Sequence, residues 1–275
     1  MAGPRRANGA GRLGVALALA LAAAPAAAAP ARVVSTNLCT DQLALLLAAP
    51  GQLVSVSAVS HDPVASAMAA EAAAYPVNHG RAEEVFLLAP DLVVAGESDP
   101  PATLAMLRRL GLRVEVFPIE ADFDDVRANV RRMGALIGQE ARAEALVDGL
   151  DAALAAPPAG PRPRAAILYA NAWTSGAGTL ADEILRAAGL DNVAADRGIV
   201  GMGALPLEVL AAEAPDLLVL GQDYGTPALA QETLAHPVVG ALGATRAAVA
   251  DNLWVCGTPM LARAVAALRA ARPAP

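Results

Sequence analysis

The chain has 275 residues and a formal net charge of −7, and all 20 of its Lys or Arg positions are arginine. An acidic chain of this kind is not expected to bind nucleic acid, because phosphate backbones attract an excess of basic side chains. About 245 residues follow the first 30, enough for two lobes of ordinary size or one large domain.

The first 30 residues have the pattern of a secretory signal peptide. Three arginines precede an uncharged Leu/Ala run at 13–24, and a tract of small residues follows. The run is shorter than the roughly 20 apolar residues that a bilayer requires. Cleavage after Ala28, Ala29 or Ala31 fits the small residues. We therefore expect a soluble mature protein in the periplasm.

The mature chain opens with a strand, a loop and a helix. An apolar run at 32–35 is followed by a polar loop and then by a segment of helical composition, for which Asp41 is the expected N-cap. Further short apolar runs, separated by helix-like segments, predict strands at 53–56, 92–95, 114–117, 165–169, 217–220 and 253–255. This alternation is typical of α/β proteins with parallel sheets covered by helices.

One segment differs in length from the others. From 122 to about 156, apolar residues recur at helical spacing, with Gly134, Gly138 and Gly149 as weak points, which predicts one long helix. A proline-rich stretch ends it, and the strand-helix alternation then begins again. We predict two Rossmann-like lobes, at 31–121 and 159–275, joined by one backbone helix at 122–158.

An internal repeat supports this division. Glu83 stands seven residues before Pro90-Asp91-Leu92, and Glu208 stands seven residues before Pro215-Asp216-Leu217. The repeat predicts a short helix, a Pro-Asp turn that ends it, and a buried strand in each lobe. Two unrelated units of the same kind are the alternative.

The order of these motifs resembles the helix-linked class of periplasmic binding proteins, which serve importers of cobalamin, haem and ferric siderophores. Gly80-Arg81-Ala82-Glu83, Thr174-Ser175-Gly176 and Ala188-Gly189-Leu190-Asp191-Asn192 add to the likeness. The resemblance implies two lobes that move slightly about a stiff helix, with the ligand between them. It also implies that Glu83 and Glu208 dock on arginines of the importer's permease, whose ATPase subunits drive uptake. The alternative is that both are helix-start acids favoured by the macrodipole, a role that is compatible with docking.

Ligands of open α/β sheets lie beyond the carboxyl ends of strands, so the loop after the first strand of each lobe is expected to contact the ligand. The candidate ligand contacts in these loops are Asn37, Cys39, Thr40, Tyr169, Asn171 and Trp173. Trp173 lies where cobalamin binders have another aromatic residue. A tryptophan in a polar loop suits a flat apolar ligand, and a packing role is the alternative.

The last informative loop contains Trp254 and Cys256, two further candidates for ligand contact. In the predicted fold Cys39 and Cys256 face each other across the cleft. Three interpretations are open: thiols that contact the ligand or its metal, a disulfide, or unrelated buried cysteines. Cobalamin binders have charged residues where this loop has Val255 and Cys256, so the resemblance does not single out cobalamin.

His61 and His79 lie in loops of the first lobe that could reach the cleft, and histidine is a sound ligand for transition metals. Their spacing is not a metal motif, and polar turn residues are the alternative interpretation. No metal ligands are therefore assigned. A receptor for a bare transition metal is a second hypothesis for the whole chain.

An enzyme that uses Cys39 as a nucleophile is a third hypothesis, but no catalytic motif or nucleotide-binding loop supports it. We expect a non-catalytic, monomeric receptor for a corrinoid, haem or ferric siderophore. It should need no cofactor of its own, since cobalt or iron would belong to the transported ligand.

Overall fold

The computed structural model describes residues 1, 3, 28–155, 158–221 and 228–273. The apolar run of the predicted signal peptide, at 13–24, lies outside the described residues. Among the helices that are described, none is long and apolar enough to cross a membrane.

The N-terminal lobe is built on a parallel sheet in the order β3-β2-β1-β4-β5. Its strands are β1 (Val33–Ser35), β2 (Leu53–Ser57), β3 (Val77–Asn78), β4 (Leu92–Gly96) and β5 (Val114–Phe117). Its helices are α1 (Leu38–Leu47), α2 (Ala69–Ala72), α3 (Ala82–Leu87) and α4 (Pro101–Arg109). The chain builds outward from β1 to β3 and then crosses to the other side of β1. This reversal leaves a crevice at the carboxyl ends of β1 and β4, where open α/β sheets bind ligands.

Helix α1 begins earlier than the sequence suggests. Asn37, and not Asp41, is its N-cap, and the Asn37 side chain accepts a hydrogen bond from the Cys39 backbone N–H. Asp41 is fully buried and accepts hydrogen bonds from the backbone N–H of Ser57 and from the hydroxyls of Ser57 and Ser60. The predicted cap is therefore a core residue that fastens α1 to the end of β2.

The segment predicted as one linking helix is a hairpin of two helices, α5 (Phe123–Ile137) and α6 (Glu140–Leu154). Gly138 ends α5 with φ of 72°, a left-handed conformation that glycine adopts without a Cβ clash. At Gly134 a Cβ would lie 2.5 Å from that of Ala143, so this glycine lets the helices approach. Helix α5 packs on α1. The prediction of one long helix is therefore wrong.

The C-terminal lobe repeats the plan with a parallel sheet in the order β11-β10-β6-β8 and a separate antiparallel ribbon of β7 and β9. Its strands are β6 (Arg164–Leu168), β7 (Trp173–Ser175), β8 (Asp191–Asn192), β9 (Met202–Ala204), β10 (Leu217–Leu220) and β11 (Thr245–Ala248). Its helices are α7 (Leu180–Ala187), α8 (Val193–Asp196), α9 (Leu207–Glu213), α10 (Pro237–Ala241) and α11 (Leu261–Ala271). The strand predicted at 253–255 is wrong, because the edge strand is β11.

One hydrophobic cluster connects the lobes. It includes residues of β1 and α1 in the first lobe, of the α5–α6 hairpin, and of β6, α7 and α11 in the second lobe. Helix α6 packs against both α5 and α11. The hairpin therefore joins the two lobes through a shared core.

Candidate functional site

The loops after β1 and β4 are locked together at the crevice of the N-terminal sheet. The Thr36 hydroxyl donates to Asp99 Oδ2 over 2.7 Å, and Asn37 Nδ2 donates to Asp99 Oδ1 over 3.0 Å. Asn37 also donates to the Ser98 hydroxyl. Because its polar atoms hold the two loops, Asn37 shapes the crevice at the switch point of the sheet.

A cavity of about 320 Å³ opens at this crevice. Apolar side chains form much of its lining, and they include Ile119, which is 70% exposed. Its polar lining includes the carboxylates of Glu97 and Glu120 but no basic side chain among the described residues. Its described lining residues are Asn37, Leu38, Cys39, Thr40, Leu43, Gly96, Glu97, Ser98, Phe117, Pro118, Ile119, Glu120 and Val255. The cavity therefore suits a ligand with apolar surface and hydrogen-bonding groups but no strong negative charge.

Residues 251–257 of the second lobe, which we call the clasp, close one side of this cavity. Cys256 of the clasp forms a disulfide with Cys39 on α1, with the two Cα atoms 5.0 Å apart. Val255, 57% exposed, lines the cavity. Of the three interpretations of the cysteines that the sequence left open, the structure therefore supports the disulfide, which joins the lobes across the cleft. Cys39 has no free thiol with which to bind a metal or act as a nucleophile.

Glu120 meets the clasp from the N-terminal lobe. Burial raises the pKa of its carboxyl, while hydrogen bonds from the Asn129 side chain and the Gly257 backbone act in the opposite direction. The Asn129 Nδ2 donor lies 2.6 Å from Glu120 Oε1. At Gly257 a Cβ would come within 2.4 Å of the Glu120 side chain. A side chain at position 257 would therefore require the Glu120 side chain to shift.

The second lobe presents the β7–β9 ribbon at the carboxyl end of β6. Asn171 and Ala172 both adopt positive φ, 56° and 57°, in the turn that leads into the ribbon. Such conformations are strained for residues with a Cβ and occur often at functional sites. The turn leaves Trp173 46% exposed at the start of β7. Tyr169, at the base of the turn, lies against Gly221 at the end of β10.

The ribbon carries an exposed apolar surface. Val200 is 78% exposed, and Met202, opposite Ser175 in the ribbon, is 54% exposed. The Ser175 hydroxyl donates to the Met202 sulfur over 3.1 Å. Together with Trp173 these side chains form the apolar surface of the second lobe near its switch point. Clustered exposed apolar residues of this kind mark binding surfaces.

Three of the other predicted contacts have different surroundings. Thr40 is 1% exposed, and its hydroxyl is engaged by the Ser35 hydroxyl and the Asn37 carbonyl. Trp254 is 7% exposed and belongs to the hydrophobic core, so its prediction as a ligand contact is corrected. His79 is exposed, with Nδ1 3.1 Å from Glu84 Oε1 at the start of α3.

His61 ends a single helical turn, Ala58–His61, that follows β2. Its Nε2 atom is buried and makes no hydrogen bond within the described part of the chain. Among the described residues, no three His, Cys, Asp or Glu side chains come together to hold a metal ion. The geometry therefore gives no support to a receptor for a bare metal.

Glu83 and Glu208 are both exposed in the first turn of a short helix, α3 and α9 respectively. The described residues offer neither carboxylate a hydrogen bond or ion pair. The two carboxylates are therefore available to a partner.

The repeat that contains these glutamates has the same hydrogen bonds in both lobes. Asp91 accepts from the backbone N–H of Arg32, and Asp216 accepts from that of Arg164. Each arginine in turn donates to carbonyls at the end of α3 or α9. This confirms the predicted helix, Pro-Asp turn and buried strand in both lobes, and it fixes the position of the helix that carries Glu83 or Glu208.

The sequence-based prediction missed the residues that follow β4 and β5 of the first lobe. Glu97 and Ser98 come directly after β4, and Ile119 and Glu120 come shortly after β5. The rule that ligands lie beyond the carboxyl ends of parallel strands applies to these loops as well. Applied to every strand, it would have found them.

Two parallel-sheet lobes with a crevice at the switch point of each sheet define a two-lobed α/β binding protein. The sequence profile of the periplasmic binding protein family matches residues 33–248, and the chain belongs to that family. This confirms the resemblance stated from the sequence, and the family implies a periplasmic or extracellular location.

Relatives and structural neighbours of the chain are named for the ligands that they bind or transport. A cobalamin-binding protein of Halobacterium salinarum is 30% identical over 200 residues, which are 70% of this chain and 54% of that protein. The chain thus spans about half the length of the curated relatives it matches. A periplasmic haem-binding protein from Pseudomonas aeruginosa is 27% identical, with a TM-score of 0.68 over 88% of this chain and 92% of its own. A Fe³⁺-hydroxamate transport protein from Saccharomonospora viridis, 22% identical, shares the fold with a TM-score of 0.67 over 90% and 94% of the two chains.

Proposed function

We propose that the protein captures a metal chelate between its lobes and delivers it to an ABC importer. The observation that carries the proposal is the exposed apolar surface of the β7–β9 ribbon, formed by Trp173, Val200 and Met202. A soluble protein leaves such a surface uncovered where it binds a partner or ligand. In a family whose relatives bind cobalamin, haem and ferric hydroxamates, a large chelate with apolar faces suits this surface.

The charge of the cavity favours a corrinoid within this class. Glu97 and Glu120 line the cavity, and none of its described lining residues is basic. The propionates of haem would be placed near carboxylates without a compensating cation, which is unfavourable in a partly buried site. The amide side chains of a corrinoid are uncharged and can hydrogen-bond to Asn37, Ser98 and the two carboxylates.

Direct titration tests the ligand class. We expect cyanocobalamin or dicyanocobinamide to bind the purified mature protein, and haemin to bind more weakly, when each is followed by calorimetry and native mass spectrometry. Preferential binding of haemin would contradict the charge argument. If cyanocobalamin, dicyanocobinamide, haemin and ferrichrome all fail to bind, the proposed ligand class is wrong.

A pair of variants locates the binding surface. Trp173→Ala removes the largest exposed side chain of the ribbon and should weaken binding by roughly tenfold or more, as expected for an aromatic contact. Leu110→Ala is the control, because Leu110 is similarly exposed, at 40%, after α4. Equal affinities for the two variants would place the ligand elsewhere.

Glu83 and Glu208 are proposed as the contacts with the permease. Each carboxylate is exposed on a helix whose far end is fixed by an arginine and an aspartate. Two acids on a preorganised surface can orient the protein through charge-assisted hydrogen bonds to arginines.

Charge reversal tests this docking role. The double variant Glu83→Arg and Glu208→Arg should keep its ligand affinity but lose transport in a reconstituted importer. Glu140→Arg is the matched control, because Glu140 is also an exposed acid in the first turn of a helix without a partner among the described residues. Undiminished transport by the double variant would remove the assignment.

We also propose that the first residues are a signal peptide removed on export. Pro30 and Ala31 take part in the fold: the Pro30 carbonyl accepts from Gln52 Nε2, and the Ala31 N–H donates to Asp91. Cleavage after Ala28 or Ala29 keeps these contacts, whereas cleavage after Ala31 removes them. The intact mass of protein recovered from the periplasm identifies the site.

A further inference from the structure

The clasp, residues 251–257, is a part of the described second lobe that contacts the first lobe beside the cavity. Its Asn252 side chain donates to the Pro63 carbonyl over 2.9 Å. Its Gly257 backbone packs closely against the Glu120 side chain. These contacts join it to the loop after β2 and to the loop after β5. One short segment thus spans the N-terminal lobe from one side of its sheet to the other.

The disulfide makes this attachment permanent in an oxidising compartment. Hydrogen bonds between lobes exchange with water and oppose separation only weakly. The Cys39–Cys256 bond joins residues 217 positions apart in the sequence, so it holds the clasp to α1 even when the hydrogen bonds open. The effective concentration of the clasp at its binding surface therefore stays high.

The same segment forms part of the cavity wall. Val255 lines the cavity, and its carbonyl oxygen lies 3.9 Å from Cys39 Sγ. Cys39 itself also lines the cavity. If the clasp moved away from α1, Val255 would move with it, and the opening between the lobes would become larger.

We propose that the Cys39–Cys256 disulfide is a specificity-determining cross-link that sets the width of the cleft. It keeps the clasp side closed, limits the size of ligand that fits, and slows ligand exchange. The effect on ligands rests on the proposed function, whereas the effect on the clasp does not. Reduction by a dithiol such as dithiothreitol converts the bond to two thiols, and the reagent is oxidised to its cyclic disulfide.

Trp254 provides a reporter of clasp movement that needs no ligand. The chain has two tryptophans, so Trp173→Phe leaves Trp254 as the only one, and Trp254 of the clasp is buried in the hydrophobic core. We expect acrylamide quenching of Trp254 fluorescence to rise about threefold on reduction, because local opening exposes buried side chains. A thiol assay confirms that two thiols have formed.

The matched control is Trp173→Phe with Cys39→Ser and Cys256→Ser. This protein should be quenched as strongly as the reduced form, with or without dithiothreitol. Unchanged quenching after verified reduction, in a protein that keeps its native circular dichroism, would overturn the cross-link's effect on the clasp. Reduction of the unsubstituted protein gives the same information if the serine variant does not fold.

The ligand effect is measured with cyanocobalamin and the smaller dicyanocobinamide as probes, using the protein with both tryptophans. Reduction should raise the dissociation rates roughly tenfold and narrow the affinity difference between the probes, since affinity changes within one site are mostly changes in dissociation. Binding with equal rates and selectivity in both redox states would overturn the specificity role. If neither probe binds in either state, the corrinoid assignment fails, and Trp254 quenching still decides whether the clasp moves.

Discussion

Glu120 holds a carboxylate between the two lobes, in contact with the backbone of Gly257. Burial raises the pKa of this carboxyl, and the nearby charge of Asp125 adds to the increase. Hydrogen bonds from Asn129 and Gly257 stabilise the ionised form only in part, and the described residues provide no cation to pair with it. Ionisation therefore costs more in the folded chain than in the unfolded chain.

Replacing Glu120 by glutamine should change how stability depends on pH. A carboxyl with a raised folded pKa contributes stability below its unfolded pKa and loses that contribution as the pH rises through the folded value. The unfolding free energy of Glu120→Gln relative to the parent should therefore increase by on the order of 1 kcal/mol from pH 4 to 7. Urea unfolding at several pH values measures this difference.

Asp41, whose carboxyl pKa burial also raises, is present in both proteins, so its effect cancels. Glu140→Gln controls for the loss of one surface charge. A difference between Glu120→Gln and the parent that stays constant across the pH range would show that ionisation of Glu120 is not linked to folding.

The cysteines show which residue properties can be predicted from a sequence. The predicted order of strands and helices places Cys39 and Cys256 on opposite sides of the cleft. Whether they pair depends on how closely the two lobes approach each other, because the cysteines are 217 positions apart in the sequence. The surroundings of Trp254 were equally hard to predict, since an apolar run beside a polar loop can form a strand or a buried turn. Packing between residues that are distant in the sequence determines both the cysteine pairing and the burial of Trp254, and the local sequence pattern does not contain that information.

At the level of elements, helices α3 and α9 end in the same way. Ala89 and Ala214, the residues before each Pro-Asp turn, both have positive φ, at 46° and 44°. Ala214 is exposed, so neighbouring side chains do not impose this conformation. The reversal is required for the aspartate of the turn to reach the first strand of its lobe, and it is unfavourable for a residue with a Cβ.

Ala214→Gly should therefore stabilise the protein by about 0.5–1 kcal/mol, because glycine adopts positive φ without a Cβ clash. Ala212→Gly makes the same chemical change two residues earlier, inside α9, where it should destabilise by about 1 kcal/mol. Thermal unfolding of the two variants should show shifts of opposite sign. Two shifts of the same sign would contradict the strain at Ala214.

The α5–α6 hairpin shows the limit of periodicity as a guide to elements. The apolar spacing continues through 122–156 because both helices bury a face in the same core. Gly134 and Gly138 were visible as weak points, but a glycine can be tolerated inside a helix or can end one. Only the packing of α6 back onto α5 distinguishes the two, so the sequence predicted the helical content but not the turn.

For the whole molecule, the alternation of strands and helices was sufficient to predict two parallel-sheet lobes, since each strand-helix unit can bury its apolar face in only a few ways. How the two lobes pack against each other could not be predicted as well from the sequence. It depends on a core shared through α6 and α11 and on the contacts of the clasp. The apolar surface that forms this shared core belongs to neither lobe alone.

A shared core has a consequence for unfolding. Because one hydrophobic cluster includes residues of both lobes and of the hairpin, neither lobe can unfold without exposing part of the other. We expect one cooperative thermal transition, with equal calorimetric and van't Hoff enthalpies.

The Cys39→Ser and Cys256→Ser double variant should keep this single transition and lose about 2–4 kcal/mol of unfolding free energy, because the disulfide restricts the unfolded chain. Differential scanning calorimetry of the oxidised, reduced and double-variant proteins measures both quantities. Two separate transitions in the oxidised protein would mean that the lobes are held together by the disulfide and not by their shared core.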